Sequence, residues 1–175
     1  MTDDHAAPIS PRHLADLLVS SSALVQAELQ ALGPDAGWHP APGEWCAREI
    51  VGHLIEAEKR GFAGRIRSFI EQDHPSVVAW DQLEVARSRA DCERDTESLW
   101  SELAALRLES VMLVRSLGTA ELARSGVHSK VGELTVGDIA HEWVHHDRNH
   151  AKQLLAIAQE RAWPHMGNAQ KFQGE

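Results

Sequence analysis

Apolar residues recur every three to four positions in four long stretches, and no segment alternates apolar and polar residues persuasively enough for a strand. The first stretch opens at Ser10-Pro11, a capping side chain followed by a proline suited to the first helical position. Leu14, Leu17, Leu18, Leu24, Val25 and Leu32 then recur at helical spacing, and Gly33-Pro34 ends the run. After a loop rich in Pro and Gly, a second helix is predicted from near Trp45 to about Ile70, with Ile50, Leu54, Ala57, Gly61 and Phe69 inward. A third is predicted near residues 93–117, with Leu99, Leu103, Leu106, Leu113 and Leu117 on one side. The fourth starts at Thr135, where Asp138 stands in for the usual Glu of a capping box, and runs to Gln159 or Arg161.

Two connections join these helices. Asp73-His74-Pro75 breaks the second helix, and residues 81–89 suit a short helix of their own. Residues 118–134 form the other connection. The expectation is an all-α four-helix bundle with long connections, a single domain over residues 1–175, loose at about 1–8 and 165–175.

Composition narrows the function classes. The 175 residues suit one domain with a real core. A formal net charge of −9 with no Lys/Arg cluster argues against nucleic acid, which needs a concentrated basic face, and against an anionic membrane surface. The acidic start, MTDDHAAPISP, lacks the basic segment and apolar run of a signal peptide, and no stretch is long and apolar enough to span a bilayer. Cys46 and Cys92 form neither a CxxC pair nor a disulfide framework. The expectation is a reduced, cytoplasmic protein acting on small molecules.

The stretch HEWVHHDRNH, residues 141–150, holds four of the eleven histidines. At about 100° per residue, with Ile139 at zero, Ile157, Trp143 and Leu154 fall at about 0°, 40° and 60° and mark the buried stripe. His146 and His150 fall within it, at about 340° and 20°, while His141 and His145 fall opposite, at about 200° and 240°. The latter pair is read as solvated. His146 and His150, one turn apart, have Cβ atoms roughly 6 Å apart, close enough for two imidazoles to reach one ion. The same spacing fits two core histidines satisfied by waters and backbone carbonyls, and spacing alone leaves both readings open.

A metal needs at least a third ligand. His53, in WCAREIVGHLIEAEKRG, lies at the edge of the second helix's apolar arc, beside Cys46, Ala57 and Gly64, whose small size leaves room for an ion. Glu49 and Glu56 flank it on the other side, where a carboxylate could orient an imidazole. Cys46 is read as a buried thiol, and Glu142 as a surface carboxylate that could instead complete the shell or act as a base. His5, His13, His39, His74, His128 and His165 receive no role.

Residues 43–59, GEWCAREIVGHLIEAEK, and 134–154, LTVGDIAHEWVHHDRNHAKQL, together resemble the DinB/YfiT-like superfamily of metal-binding four-helix bundles. The shared pattern is a Trp-led helix start followed by a His, then a late helix start leading to HD-x-x-H and a QL continuation. Here these are Trp45 and His53, then Thr135, His146-Asp147-Arg148-Asn149-His150 and Gln153-Leu154. The resemblance implies that His53, His146 and His150 hold a divalent metal with water in the remaining positions. Some members resemble transferases of bacillithiol or a related low-molecular-weight thiol. Another branch isomerises maleylpyruvate with mycothiol, but its late pair begins with Glu where this chain has His146.

The first expectation is therefore a metal-dependent thiol S-transferase acting on electrophilic small molecules, with Glu142 or Asp147 orienting ligands or moving protons. A metal-dependent hydrolase and a non-catalytic, metal-stabilised stress-response or binding protein are the alternatives. Zinc or nickel is expected first, then iron, manganese or copper. A homodimer through an apolar helix face near Trp100 is a further expectation.

Overall fold

Ser10 caps the first helix, its hydroxyl accepting from the His13 N–H, and α1 (Pro11–Leu32) stops at Gly33, whose φ of 49° favours glycine. In the computed structural model, which describes residues 7–173, two further helices follow: α2 (Ala47–Glu56) and α3 (Ala63–Glu71). Residues Ala57–Phe62 join them as a π-helical turn, so the single long helix of the sequence reading is interrupted in its middle. Beyond lie α4 (Gln82–Arg89), α5 (Thr96–Ser116), the short α6 (Thr119–Leu122) and α7 (Val136–Ala162). Asp95 caps α5, accepting from the Ser98 N–H, so that helix begins a turn later than expected. Thr135 and Asp138 make the reciprocal capping contacts at the start of α7.

The helices α1, α2–α3, α5 and α7 form the four-helix bundle: α1 packs on α5 and α7, and α2 bridges the same two. Leu24, expected inward, is 38% exposed; α1 turns Val25, as expected, to the core together with Ser21 and Leu29. Trp100 packs against the core, so the apolar face near it is partly consumed within the chain. Residues 163–173 form two short 3₁₀ turns where loose chain was expected, while residues 1–6 and 174–175 lie outside the described residues. No helix among the described residues is long and apolar enough to cross a membrane.

The connections also hold a small sheet that the sequence reading did not anticipate. Strands β1 (Ser76–Val77), β2 (Ser125–His128) and β3 (Gly132–Thr135) lie in that order, β1 parallel and β3 antiparallel to β2. With two to four residues each, they are too short for alternation to register. Gly126 is required where β2 passes α3: a Cβ there would lie 2.5 Å from the Pro75 carbonyl oxygen and 2.8 Å from the Phe69 ring.

Two apolar clusters divide the interior. One gathers Leu14, Leu18, Phe62, Ile66, Phe69, Val114, Ile139 and Trp143; the other gathers Val25, Leu29, Ile50, Leu54, Leu99, Leu103, Leu154 and Ile157. Between them, at mid-height, each helical segment of the bundle contributes buried polar groups. These are Ser21 from α1, His53 from α2, Glu58 from the π-helical turn, Arg107 and Ser110 from α5, and Asp147 from α7. Buried polar groups are costly unless they pair, so a belt of them is the first place to look for function.

Candidate metal centre

The polar belt opens to one side at His53, His146 and His150. His53 lies in the last turn of α2 and is 4% exposed; the other two, one turn apart on α7, are half-buried. Their Nε2 atoms converge, with His53 Nε2 3.0 Å and His150 Nε2 3.2 Å from His146 Nε2, and donor atoms of all three residues lie within 4.8 Å of one another. Two nitrogens each about 2.0–2.1 Å from one ion sit roughly 3–3.4 Å apart, so the spacing matches shared coordination.

Proton accounting points the same way. His150 Nδ1 lies 2.7 Å from the Gln153 side-chain oxygen, to which it must donate, so in the neutral ring the Nε2 of His150 carries a lone pair. That lone pair faces His146 Nε2, which also faces His53 Nε2. A single N–H on His146 cannot serve both neighbours, whereas a cation satisfies all three. Burial, reinforced by the neighbouring imidazoles, pushes His53 down to about 3 and His150 to about 4. At neutral pH both are uncharged and able to coordinate. The donor set fits a divalent ion.

An aromatic wall encloses the triad. Trp45 lies 5.0 Å from His53 and 6.5 Å from His150 between ring centroids, Trp80 stacks on His53 at 5.8 Å, and the Phe62 edge meets His146 at 5.0 Å. Phe62 is placed by the π-helical turn and stacks in turn on Trp143. π-Bulges recur at functional sites because they re-aim side chains that a regular helix would misplace. A groove of about 620 Å³ lined by Trp45, Ile50, Leu83, Gln153, Ile157 and Glu160 begins beside His150, sharing Trp45 and Gln153 with its surroundings.

Behind His146 lies the charged part of the belt. Asp147, buried at 2% exposure, pairs through Oδ2 with the Arg107 guanidinium, and its Oδ1 is 4.0 Å from His146 Nδ1. Arg107 Nε in turn meets Glu58 at 2.5 Å, and Ser110 donates to the same carboxylate. Arg107 also lies 5.7 Å from the Trp143 ring. Burial raises Glu58 to about 7 despite the guanidinium beside it, while Arg107 keeps Asp147 low against the same burial.

The structure brings His53, His146 and His150 together and redistributes the neighbours expected around them. Glu49 does not reach His53; it accepts from the backbone N–H of Cys46 at the start of α2. Glu56 is engaged by Arg60 and Arg89. Cys46 packs against Cys92 rather than opening space beside His53. Glu142 is exposed, while Asp147 faces His146. His145 is exposed as expected, but His141 ties the amino-terminal segment to α7, accepting from the Ile9 N–H and donating to the Gly137 carbonyl. His128, given no role, is 6% exposed in β2. Sequence reasoning also missed Arg107, Glu58 and Trp80, and named Gln153 only within the QL continuation, without a role. Only Gln153, one turn after His150, carried a local signal.

Comparison with known proteins follows this geometry. The family model described as the DinB superfamily matches residues 17–154. A curated protein of Oceanobacillus iheyensis, named "Putative metal-dependent hydrolase OB0782", is 22% identical over 121 residues, which make up 69% of either chain. Among solved structures, YfiT from Bacillus subtilis, titled a "probable metal-dependent hydrolase with an unusual four-helix bundle topology", superposes with a TM-score of 0.80 at 16% identity. That match covers 91% of this chain and 94% of YfiT.

Proposed function

The chain belongs to the DinB superfamily, and on that premise we propose that it is a metal-dependent enzyme in which His53, His146 and His150 hold one divalent ion and a low-molecular-weight thiol attacks an electrophilic small molecule bound in the adjoining groove. A divalent ion in an open three-histidine site supplies Lewis acidity and makes a coordinated water or thiol far more acidic. Zinc or nickel suits three neutral imidazoles.

The observation that carries the reading is the convergence of three Nε2 atoms, two of them 3.0 and 3.2 Å from the third, beside Trp45 and Gln153, which also line a neighbouring groove. The chain's own residues divide the work. Gln153 holds the His150 ring with its Nε2 towards the ion. Asp147, kept anionic by Arg107, faces His146 Nδ1 and favours the tautomer whose Nε2 coordinates. Trp45, Trp80 and Phe62 exclude water and offer apolar surface to the substrate. Thiol is favoured as the nucleophile because the carboxylates nearest the triad are engaged elsewhere: Asp147 with Arg107, and Glu56 with Arg60 and Arg89. A thiol, ordinarily near about 8.5, needs far less help from a cation than water, ordinarily near about 15.7, to release its proton to solvent without a separate base.

Hydrolysis is the second reading, favoured by the names of both relatives. It uses the same ligands, with water as the nucleophile. Assays of metal-loaded protein on a panel of alkyl halides, epoxides and activated esters, with and without thiol, separate the two. Product formation only with thiol is the expected result; thiol-independent hydrolysis supports the second reading. Absence of both, with the ion bound stoichiometrically, overturns the enzymatic proposal.

A further inference from the structure

A second set of donors meets at the start of α2, about two turns before His53. Cys46, fully buried, immediately precedes α2, and Cys92 lies in the turn Asp91–Glu93 that leads into α5. Their sulfurs are 3.0 Å apart. His39 approaches from the loop after α1: its Nδ1 is 2.8 Å from the Glu44 carbonyl oxygen, to which it donates. The lone pair of the neutral ring is thereby left on Nε2, which lies 3.4 Å from Cys92 Sγ. Glu49 Oε2 stands 3.5 Å from His39 Nδ1 while accepting from the Cys46 backbone N–H. One donor atom from each of His39, Cys46, Glu49 and Cys92 lies within 4.8 Å of the others.

We infer that these four residues form a second metal site, distinct from the histidine triad, that takes a zinc-like divalent ion through two thiolates, one imidazole and one carboxylate. Four protein donors with no vacancy is the pattern of structural zinc. Three separate chain segments meet in it, so its occupancy fixes the start of α2, two turns before His53, against the entry to α5. An imidazole whose Nδ1–H is held by a backbone carbonyl is pre-set to coordinate through Nε2. The Arg48 side chain donates to the Cys92 carbonyl oxygen at 2.9 Å and holds that turn in place.

The competing fate of two close sulfurs is a disulfide. From 3.0 Å, reaching the S–S bond length of about 2.05 Å needs an approach of about 1 Å. Thiolates on one zinc, at about 2.3 Å each, sit roughly 3.7 Å apart, a separation of similar size in the other direction. The His39 Nε2 lone pair against Cys92 favours the ion, since a disulfide makes no use of it; Glu49 can join the ion while still capping the Cys46 N–H, because a carboxylate has acceptor capacity for both.

The experiment is elemental analysis of the full chain, purified under reducing conditions and dialysed, beside cobalt substitution read by absorption. Wild type should hold two equivalents of metal, while His146→Ala and Cys92→Ser should hold one each. The thiolate-to-cobalt charge-transfer band should appear in wild type and His146→Ala but not in Cys92→Ser. His39→Ala, an exposed change that leaves the fold intact, should weaken only the thiolate-bound ion. A wild type with one equivalent that vanishes in His146→Ala and shows no thiolate band would overturn the second site and leave the triad standing. So would freshly purified protein in which mass spectrometry finds Cys46 and Cys92 joined.

Discussion

The Asp147 carboxylate sits between Arg107 and His146, paired through one oxygen with the Arg107 guanidinium and facing His146 Nδ1 at 4.0 Å through the other. Arg107 is its principal counter-charge and also that of Glu58, and all three are nearly inaccessible to water. Replacing Arg107 with Leu leaves two buried carboxylates without a cation. Breaking a buried pair in this way costs about 3–5 kcal/mol, because the desolvated partners remain. Denaturant unfolding of Arg107→Leu should show a loss of this size. A loss under about 1 kcal/mol would mean that the belt contributes nothing to holding α5 against α7.

In the proposed metal site, Gln153 would support the ion rather than the fold. Its side chain is exposed and its described contact is the hydrogen bond to His150 Nδ1. Partners of ligating histidines typically tune metal affinity by about 10- to 100-fold. Gln153→Ala should therefore weaken binding by that factor in a chelator competition, while the melting temperature of the metal-free chain stays within about a degree of wild type. Unchanged affinity would show that the His150 ring is oriented by packing alone.

How far the site could be read from the sequence depended on the range of each signal. The inward placing of His146 and His150 follows from periodicity along one helix, and α7 keeps Ile139, Trp143 and Leu154 on the face that the wheel assigned. His53 required pairing two helices more than ninety residues apart, which spacing suggested only with the help of the DinB-like pattern. Arg107 and Glu58 had no signal at all. An Arg among the leucines of α5 looks like any solvated position until α1 and α7 cover it. The π-helical turn is equally silent, since Ala57–Phe62 reads as ordinary helix while its extra residue decides where Phe62 points. Cys46 and Cys92 were rejected as a pair because their separation in sequence matches no motif, yet the fold closes that distance to 3.0 Å.

Stability should depend on pH in two opposing ways. Burial lowers His53 to about 3 and His150 to about 4 from an ordinary 6.5. Below pH 6.5 the unfolded metal-free chain holds protons that the folded chain refuses, so stability falls as the pH drops. Glu58 acts the other way. Its carboxyl is pushed up by burial to about 7 from 4.5, so between those values the folded chain keeps a proton that the unfolded chain has released. Its contribution therefore falls as the pH rises through that window. The histidine effect is common to wild type and Glu58→Gln and cancels in their difference. The melting temperature of metal-free wild type minus that of metal-free Glu58→Gln should decrease from pH 5 to about pH 7 and level off above it. A flat difference would mean that Glu58 titrates at its ordinary value and is ionised throughout.

Gly52, beside His53, is the tightest approach between α2 and the turn that carries Cys92. A Cβ there would lie 1.8 Å from Asp91 Oδ2 and 2.5 Å from its Cγ. Asp91 is 1% exposed and cannot swing aside freely, because its oxygens hold Arg89 at 2.6 and 3.0 Å and Arg94 at 2.9 Å. Gly52→Ala must therefore either break those bonds or lift α2, and overpacking of this kind costs about 1–3 kcal/mol. The helical propensity of Ala returns at most about 1 kcal/mol. The cause can be isolated by repeating the change in an Asp91→Ala background, where the obstructing oxygens are gone. There only the Cβ of residue 91, 3.1 Å away, still crowds the site, so Gly52→Ala should cost far less than in wild type and the two substitutions should be strongly non-additive. Equal costs in both backgrounds would show that something other than the Asp91 carboxylate excludes a side chain at position 52.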